Sequence, residues 1–215
     1  MKRYVILLCI LCLLFGGCSG KSVEEKLRAF YPEATITVNE EGFFEVETPI
    51  DVEQYDRVIY GGAAQGHKPV KSLAALQKKY DASHYILVKG HRVGGVTLRA
   101  QFDNEGLNYG SESTFEIAVT QVCHATREVS DKITIARFGY CILPHGKERV
   151  LYMGREPLPV ENEEYFFLLS PLGDDTYSHL NPLASDLKID EALLTAKELS
   201  DAQKLTKDLM KNYLQ

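Results

Sequence analysis

The sequence predicts an α+β fold whose centre is a small antiparallel β-barrel, with helices before and after it. Three observations lead to this prediction. Between residues 83 and 183, five or six segments have strand patterns: most alternate apolar and polar residues, and one is apolar throughout. Glycines at the bends of these segments suit a small closed barrel better than an open sheet. Flanking segments carry apolar residues at helical spacing instead.

Residues 18–82 are predicted to form a helix, a hairpin and a second helix. Ser22 and Glu25 have the spacing of a capping box, and apolar residues follow them at helical intervals. The turn-forming residues Asn39–Gly42 separate two alternating segments, which predicts a β-hairpin. Ser72 is placed to cap the second helix. These elements are too small for a core of their own, so we expect them to pack on the later strands.

The β-rich part, residues 83–183, contains the predicted barrel strands. Residues 165–169 are apolar at every position, which predicts a buried strand at the centre of the sheet. The glycines at 90, 94 and 95 are predicted to be bends or bulges. The other strand candidates are 85–89, 93–102, 114–122, 132–140 and 150–153.

The C-terminal segment, residues 184–215, predicts an amphipathic helix. Asp190 is a candidate cap, and apolar residues from Leu199 to Tyr213 recur near helical spacing. We expect this apolar face to dock on the body of the protein. A partner helix or a dimer contact is the alternative, because the apolar seam is too short and irregular for a coiled coil.

The order of several short patterns resembles the layout of small exported proteins of Gram-positive bacteria. These patterns are Ser72-Leu73-x-x-Leu76, Val88-x-Gly90, Thr114-Phe115-Glu116-Ile117-x-Val119, Asp131-Lys132-Ile133-Thr134-Ile135 and Glu164-Tyr165-Phe166-Phe167-Leu168. The resemblance covers about residues 72–180 and implies a five-stranded barrel of the OB-like type. It transfers no functional site, since most of these proteins have no assigned activity.

The first residues predict export and membrane anchoring. Lys2 and Arg3 precede an apolar run from Tyr4 to Phe15, which is too short to span a bilayer comfortably and is typical of a secretory signal. The ending Leu14-Phe15-Gly16-Gly17-Cys18 resembles the lipobox of bacterial lipoproteins. This resemblance implies that residues 1–17 are a signal peptide and that Cys18 is lipidated at the extracytoplasmic face of the cell membrane. A plain signal peptide and an uncleaved short anchor are the alternatives.

The charge of the chain restricts its partners. Removal of residues 1–17, which contain two basic residues and no acid, changes the formal charge from -6 to -8. An acidic protein without a basic cluster is poorly suited to bind nucleic acid or to adsorb directly on anionic lipid. We therefore expect membrane attachment through the N-terminal lipid, and an unidentified protein or small molecule as the ligand.

The cysteines and histidines offer one candidate metal site. Cys123, His124, Cys141 and His145 are the soft ligands from which a tetrahedral zinc site is assembled. Their spacing is unlike that of known zinc knuckles, so we predict no metal and no cofactor. A disulfide between Cys123 and Cys141 needs barrel curvature or a different strand pairing, because a simple hairpin places the two at opposite ends.

These observations favour a non-enzymatic binding or interaction module over an enzyme. The G-x-S-x-G and H-E-x-x-H motifs do not occur in the chain. Six tyrosines are candidates for an aromatic binding face on the barrel: Tyr60, Tyr85, Tyr109, Tyr140, Tyr152 and Tyr177. The alternatives are a metal-dependent or hydrolytic envelope enzyme that uses the Cys/His set, and a structural subunit of an envelope complex.

Overall fold

The computed structural model describes residues 21–50, 55–60, 70–142, 150–153, 158–180 and 185–214, with the backbone alone at 60, 138–142 and 151–153. The predicted signal segment 1–17, Cys18 and His145 lie outside the described residues. No helix within these ranges combines the length and the apolar character needed to cross a bilayer.

Both helices and strands are present, which confirms the α+β class. The α-helices of the described residues are α1 (Val23–Phe30), α2 (Leu73–Lys79) and α3 (Asp201–Tyr213). The strands are β1 (Thr35–Val38), β2 (Phe44–Ile50), β3 (Arg57–Tyr60), β4 (Ile86–Phe102), β5 (Asn108–His124), β6 (Lys132–Ile142), β7 (Val150–Met153), β8 (Glu164–Pro171), β9 (Thr176–His179) and β10 (Asp186–Lys188). Short 3-10 helices span Ala82–His84 and Glu191–Leu194.

The strands form a mostly antiparallel sheet whose main path is β1-β2-β4-β5-β6-β9-β8-β10. Strand β4 pairs with β5 along one edge. Its other edge pairs with β8 through residues 86–91 and with β2 through residues 96–102. Two pairings are parallel, β6 with β9 and β3 with β7. The sheet is therefore organised around β4, which has neighbours on both edges over most of its length.

A single continuous strand, β4, takes the place of the two strands predicted at 85–89 and 93–102. Its register with β5 shifts between Lys89 and Gly90 and again between Val93 and Val96, at the glycines predicted to bend the chain. Gly94 has a φ of 70°, which residues with a Cβ rarely adopt. Pairing with β5 resumes after each irregularity, so the glycines act as bulges within one strand and do not end it.

Two apolar clusters meet at β8. Tyr165, Phe167 and Leu169 pack with residues of β4, β5, β6 and β9 in an interior cluster. Phe166 and Leu168 point to the other side and pack beneath α2 and α3. All five side chains are buried, which confirms the predicted central position of this strand. Burial of each of these side chains stabilises the fold by about 2 kcal/mol relative to an exposed position.

Helix α1 covers a third cluster. Ser22 and Glu25 form the predicted capping box, with the Glu25 amide donating to Ser22 Oγ and the Ser22 amide donating to Glu25 Oε2. Leu27 and Phe30 of this helix pack on β2 and β4, where Val46 is among the buried residues. The helix and the hairpin therefore complete their core on β4, as the sequence predicts.

The C-terminal segment 184–215 is not the single helix that the sequence predicts. Its first residues form β10, which pairs with β8. Asp190 caps a 3-10 helix instead of an α-helix, accepting a hydrogen bond of 2.9 Å from the Ala192 amide. With three residues, β10 is too short to show a recognisable period in the sequence.

Helix α3 begins eleven residues after Asp190, at Asp201, and Ser200 and Gln203 form its capping box. Its buried side chains, such as Leu205, belong to the same cluster as α2 and β8, so the helix docks on the body of the protein as expected. Asp208 of α3 also accepts a hydrogen bond of 2.8 Å from the Leu73 amide. This bond satisfies a free amide in the first turn of α2 and ties the two helices together.

Candidate ligand-binding face

One face of β1, β2, β4 and β5 carries polar residues in two rows that cross the four strands. The register aligns Thr37 with Glu45, Gln101 and Gly110, and it aligns Thr35 with Glu47, Arg99 and Glu112. We call these eight positions the acidic face. Successive residues of a strand point to opposite sides of the sheet. The intervening residues Val46 and Ala100 accordingly lie in the cluster covered by α1.

The acidic face borders a groove of about 510 Å³. This volume lies within the range of small-ligand sites, about 300 to 1,000 Å³, although such sites are usually lined by apolar side chains. Gly110 contributes no side chain, and a Cβ placed there would meet no atom within 4 Å. The groove is therefore open above β5, and its recognition groups are carboxylates, an amide, hydroxyls and one guanidinium.

The acidic face carries a net negative charge. It has three carboxylates, those of Glu45, Glu47 and Glu112, and one guanidinium, that of Arg99. Arg99 Nε lies 3.2 Å from Glu47 Oε2 in an exposed ion pair. Glu45 Oε1 accepts hydrogen bonds from Asn39 Nδ2 at 3.0 Å and from Gln101 Nε2 at 3.2 Å. These amides orient the Glu45 carboxylate without neutralising it. The face therefore attracts cations and hydrogen-bond donors.

An aromatic pair lies near the end of the acidic face where the hairpins turn. The rings of Phe43 and Tyr109 are 5.1 Å apart and tilted by 58°, and 67% of Tyr109 is exposed. Tyr85 and Tyr177, also predicted for an aromatic face, are buried in two different clusters. The side chains of Tyr60, Tyr140 and Tyr152 lie outside the described residues. The described tyrosines of the predicted set do not share one face.

The candidate zinc ligands are only partly within the described residues. The side chain of Cys141 and the whole of His145 lie outside them. The His124 ring stacks on Tyr85 at 4.7 Å, and its Nε2 lies 3.1 Å from the Ala82 carbonyl oxygen. Within the described residues, no group of three or more potential ligands converges. The geometry of Cys123 and His124 is accounted for by packing and hydrogen bonding.

Cys123 is a free, half-buried thiol near the end of β5. The register of β5 and β6 pairs Glu112 with Phe138 and Ala118 with Lys132, so Cys123 and Cys141 lie beyond opposite ends of this ladder. Burial raises the pKa of the Cys123 thiol to about 11. A thiol of this kind is protonated at neutral pH and is a poor nucleophile and a poor metal ligand.

Two buried charged side chains and a largely buried histidine converge where β6 separates from β9. Arg137 Nη1 lies 3.6 Å from Asp186 Oδ2, and His179 Nε2 lies 2.8 Å from Asp186 Oδ1. The Asp186 side chain is 3% exposed. The short contact with His179 is not aligned as a hydrogen bond. The ion pair links β6 to β10 beyond the last β6–β9 partners, Ala136 and Ser178.

Neither the acidic face nor the Arg137–Asp186 contact is evident from the sequence alone. Alternation along β2 and β4 predicted the strands, but the cross-strand rows depend on which strands pair and in which register. Arg137 and Asp186 are far apart in the sequence, and no local pattern connects them. Comparison with protein-family models, with curated proteins and with solved structures found no match.

Proposed function

We propose that this protein is a lipid-anchored binding module at the extracytoplasmic face of the cell membrane, and that it binds its ligand on the acidic face without catalysing a reaction. The groove beside the eight aligned residues is the observation that carries the proposal. The Glu45 carboxylate and the Gln101 amide are held by hydrogen bonds, and the Glu47 carboxylate by an ion pair, so these groups are oriented before a ligand arrives. Such preorganisation reduces the free energy that binding spends on ordering side chains.

We also propose that the strands beneath this face close into a small OB-like barrel. Pairings of β4 with β5, β5 with β6, β6 with β9, β9 with β8, and β8 with β4 support a closed ring. The interior cluster draws residues from each of these strands, as the filled centre of a small barrel would. The hairpin of β1 and β2 then pairs with the second half of β4 outside the ring, and these three strands carry the acidic face together with β5.

The anchoring part of the proposal is tested by changing Cys18. Cells grown with labelled palmitate should incorporate label into the wild-type protein, which should sediment with membranes. Cys18→Ala should abolish the label and release the protein from the membrane fraction, because a single thioether-linked cysteine is the attachment point of lipoproteins. Label retained by Cys18→Ala would contradict the proposal.

The binding part is tested by photo-crosslinking in intact cells. A photoreactive amino acid at Gln101, exposed on the acidic face, should give a discrete adduct. The same amino acid at Glu128, exposed in the turn between β5 and β6, is the matched control. Replacing Glu45 and Glu112 together with glutamine should weaken the Gln101 adduct. Adducts of equal yield at both positions would count against a site on this face.

A further inference from the structure

Strand β1 is the edge of the sheet in the described part of the chain, and its backbone groups can be assigned a direction. The Asn39 amide donates a hydrogen bond of 3.0 Å to the Phe43 carbonyl at the hairpin turn. Residue pairs in an antiparallel hairpin alternate between hydrogen-bonded and non-hydrogen-bonded. The pairs Ile36 with Val46 and Val38 with Phe44 are therefore non-hydrogen-bonded. The N–H and C=O groups of Ile36 and Val38 consequently point away from β2.

The β1 edge is short, at four residues, but it carries no lysine, proline or bulge that would prevent another strand from pairing. Natural edge strands are often protected by lysine, proline or a bulge. The sequence of β1 is Thr-Ile-Thr-Val, which consists entirely of β-branched residues, and its register with β2 is regular. The outward backbone groups of Ile36 and Val38 have no hydrogen-bond partner among the described residues. Within the described part of the chain, this edge can accept a strand without first being remodelled.

The two faces of β1 would contact different kinds of side chain on an added strand, because one face is acidic and the other is apolar. One set of side chains would lie beside Thr35 and Thr37, on the same face as Glu45 and Glu47. Strands are spaced about 4.8 Å apart, so these carboxylates are roughly 10 Å from the added backbone, within the combined reach of a lysine or arginine and a glutamate. The alternate set would lie beside Ile36 and Val38, and Val38 is 59% exposed.

We propose that β1 binds an extended peptide segment as an additional strand, with lysine or arginine side chains over the acidic face and apolar side chains on the opposite face. The inference rests on the proposed binding function and specifies its partner. Main-chain hydrogen bonds to Ile36 and Val38 provide affinity, and the alternating side chains provide selectivity. A second copy of β1 brings no basic residue to this face, so charge favours a different, basic segment.

The test uses the lipidated full-length protein in detergent micelles and a short fluorescent peptide that alternates lysine and valine. Fluorescence anisotropy should show saturable binding that weakens with added salt. A peptide with glutamate in place of lysine should not bind. A lysine–valine peptide methylated on the backbone nitrogens that face β1 should also fail, because it cannot pair with the edge.

Two variants of Val38 separate backbone pairing from side-chain contact. Val38→Pro removes an outward amide that donates nothing to β2, and loss of one hydrogen bond should reduce affinity by at least about fivefold. Val38→Ala keeps the amide and should cause a smaller loss. Circular dichroism should show that both variants remain folded. Equal affinities for the two variants would overturn strand addition.

Amide hydrogen exchange gives a second, site-specific measurement. The bound peptide should slow exchange at Ile36 and Val38, while Thr35 and Thr37, which already bond to β2, should change little. Binding without new protection at Ile36 and Val38 would mean simple charge adsorption and would refute the inference. Self-association that competes with the peptide would instead identify a second copy as the occupant. A site-specific Gln101 adduct in cells without peptide binding would refute strand addition alone and leave the proposed function standing.

Discussion

Adding one methyl group at Gly90 should damage the fold severely. This glycine lies within β4 at a register shift, opposite Val119 of β5. A Cβ at this position would lie 2.3 Å from the Ala118 carbonyl oxygen and 2.9 Å from Ile117 Cγ2, whereas ordinary contacts begin at 3.4 Å. The carbonyl belongs to a backbone held in a ladder, so the strands must separate by about 1 Å to admit the methyl group.

Gly90→Ala should therefore destabilise the protein by about 3 kcal/mol, the upper end of the range for overpacking in a core. For a chain of this size, that loss lowers the melting temperature by roughly 6 to 12 °C. Urea denaturation followed by circular dichroism gives the free energy of unfolding. Gly110→Ala is the matched control, since a Cβ there meets no atom within 4 Å. Unfolding of Gly90→Ala at the wild-type urea concentration, or an equal loss in the control, would refute this reasoning.

Three further predictions address other parts of the molecule. Asp186→Asn removes the carboxylate beside the buried Arg137 and should reduce the free energy of unfolding by about 3 kcal/mol. Glu116→Gln, in an exposed ion pair, is the control and should change the free energy of unfolding by less than about 1 kcal/mol. Equal effects of the two substitutions would contradict a stabilising ion pair between Arg137 and Asp186. Alkylation of Cys123 should accelerate about tenfold per pH unit up to the pKa of about 11, and a plateau below pH 9 would contradict the raised pKa. Ser200→Ala removes the cap of α3 and should lower stability by about 1 kcal/mol in urea denaturation, a loss that Ser200→Asn should largely avoid.

Local signals in the sequence predicted the helices that carry their own caps. Ser22 with Glu25, and Ser72, lie where α1 and α2 begin, because a cap is satisfied by amides within the next three residues. The same reasoning predicted the wrong start for the C-terminal helix α3. Asp190 does cap a turn, but the capping box of Ser200 and Gln203, visible in the sequence, is the one that begins the α-helix.

Strands were predictable where burial alternates or is continuous. The apolar run 165–169 indicated a buried strand, and β8 is buried there. The join between the two halves of β4 was not predictable, since glycine is compatible with both a strand end and a bulge. Which outcome occurs depends on whether a neighbouring strand continues past the glycine, and β5 does so.

The sequence by itself determined the class of fold, the caps of the first two helices, the buried character of β8 and the acidic balance of the chain. Only the tertiary structure decided that Glu47, Arg99 and Glu112 lie side by side, that Arg137 meets Asp186, and that β1 is the edge of the sheet among the described strands. The physical reason is the range of the interactions. Caps and periodicity act over a few residues, whereas strand register is set by packing between segments that are distant in the chain.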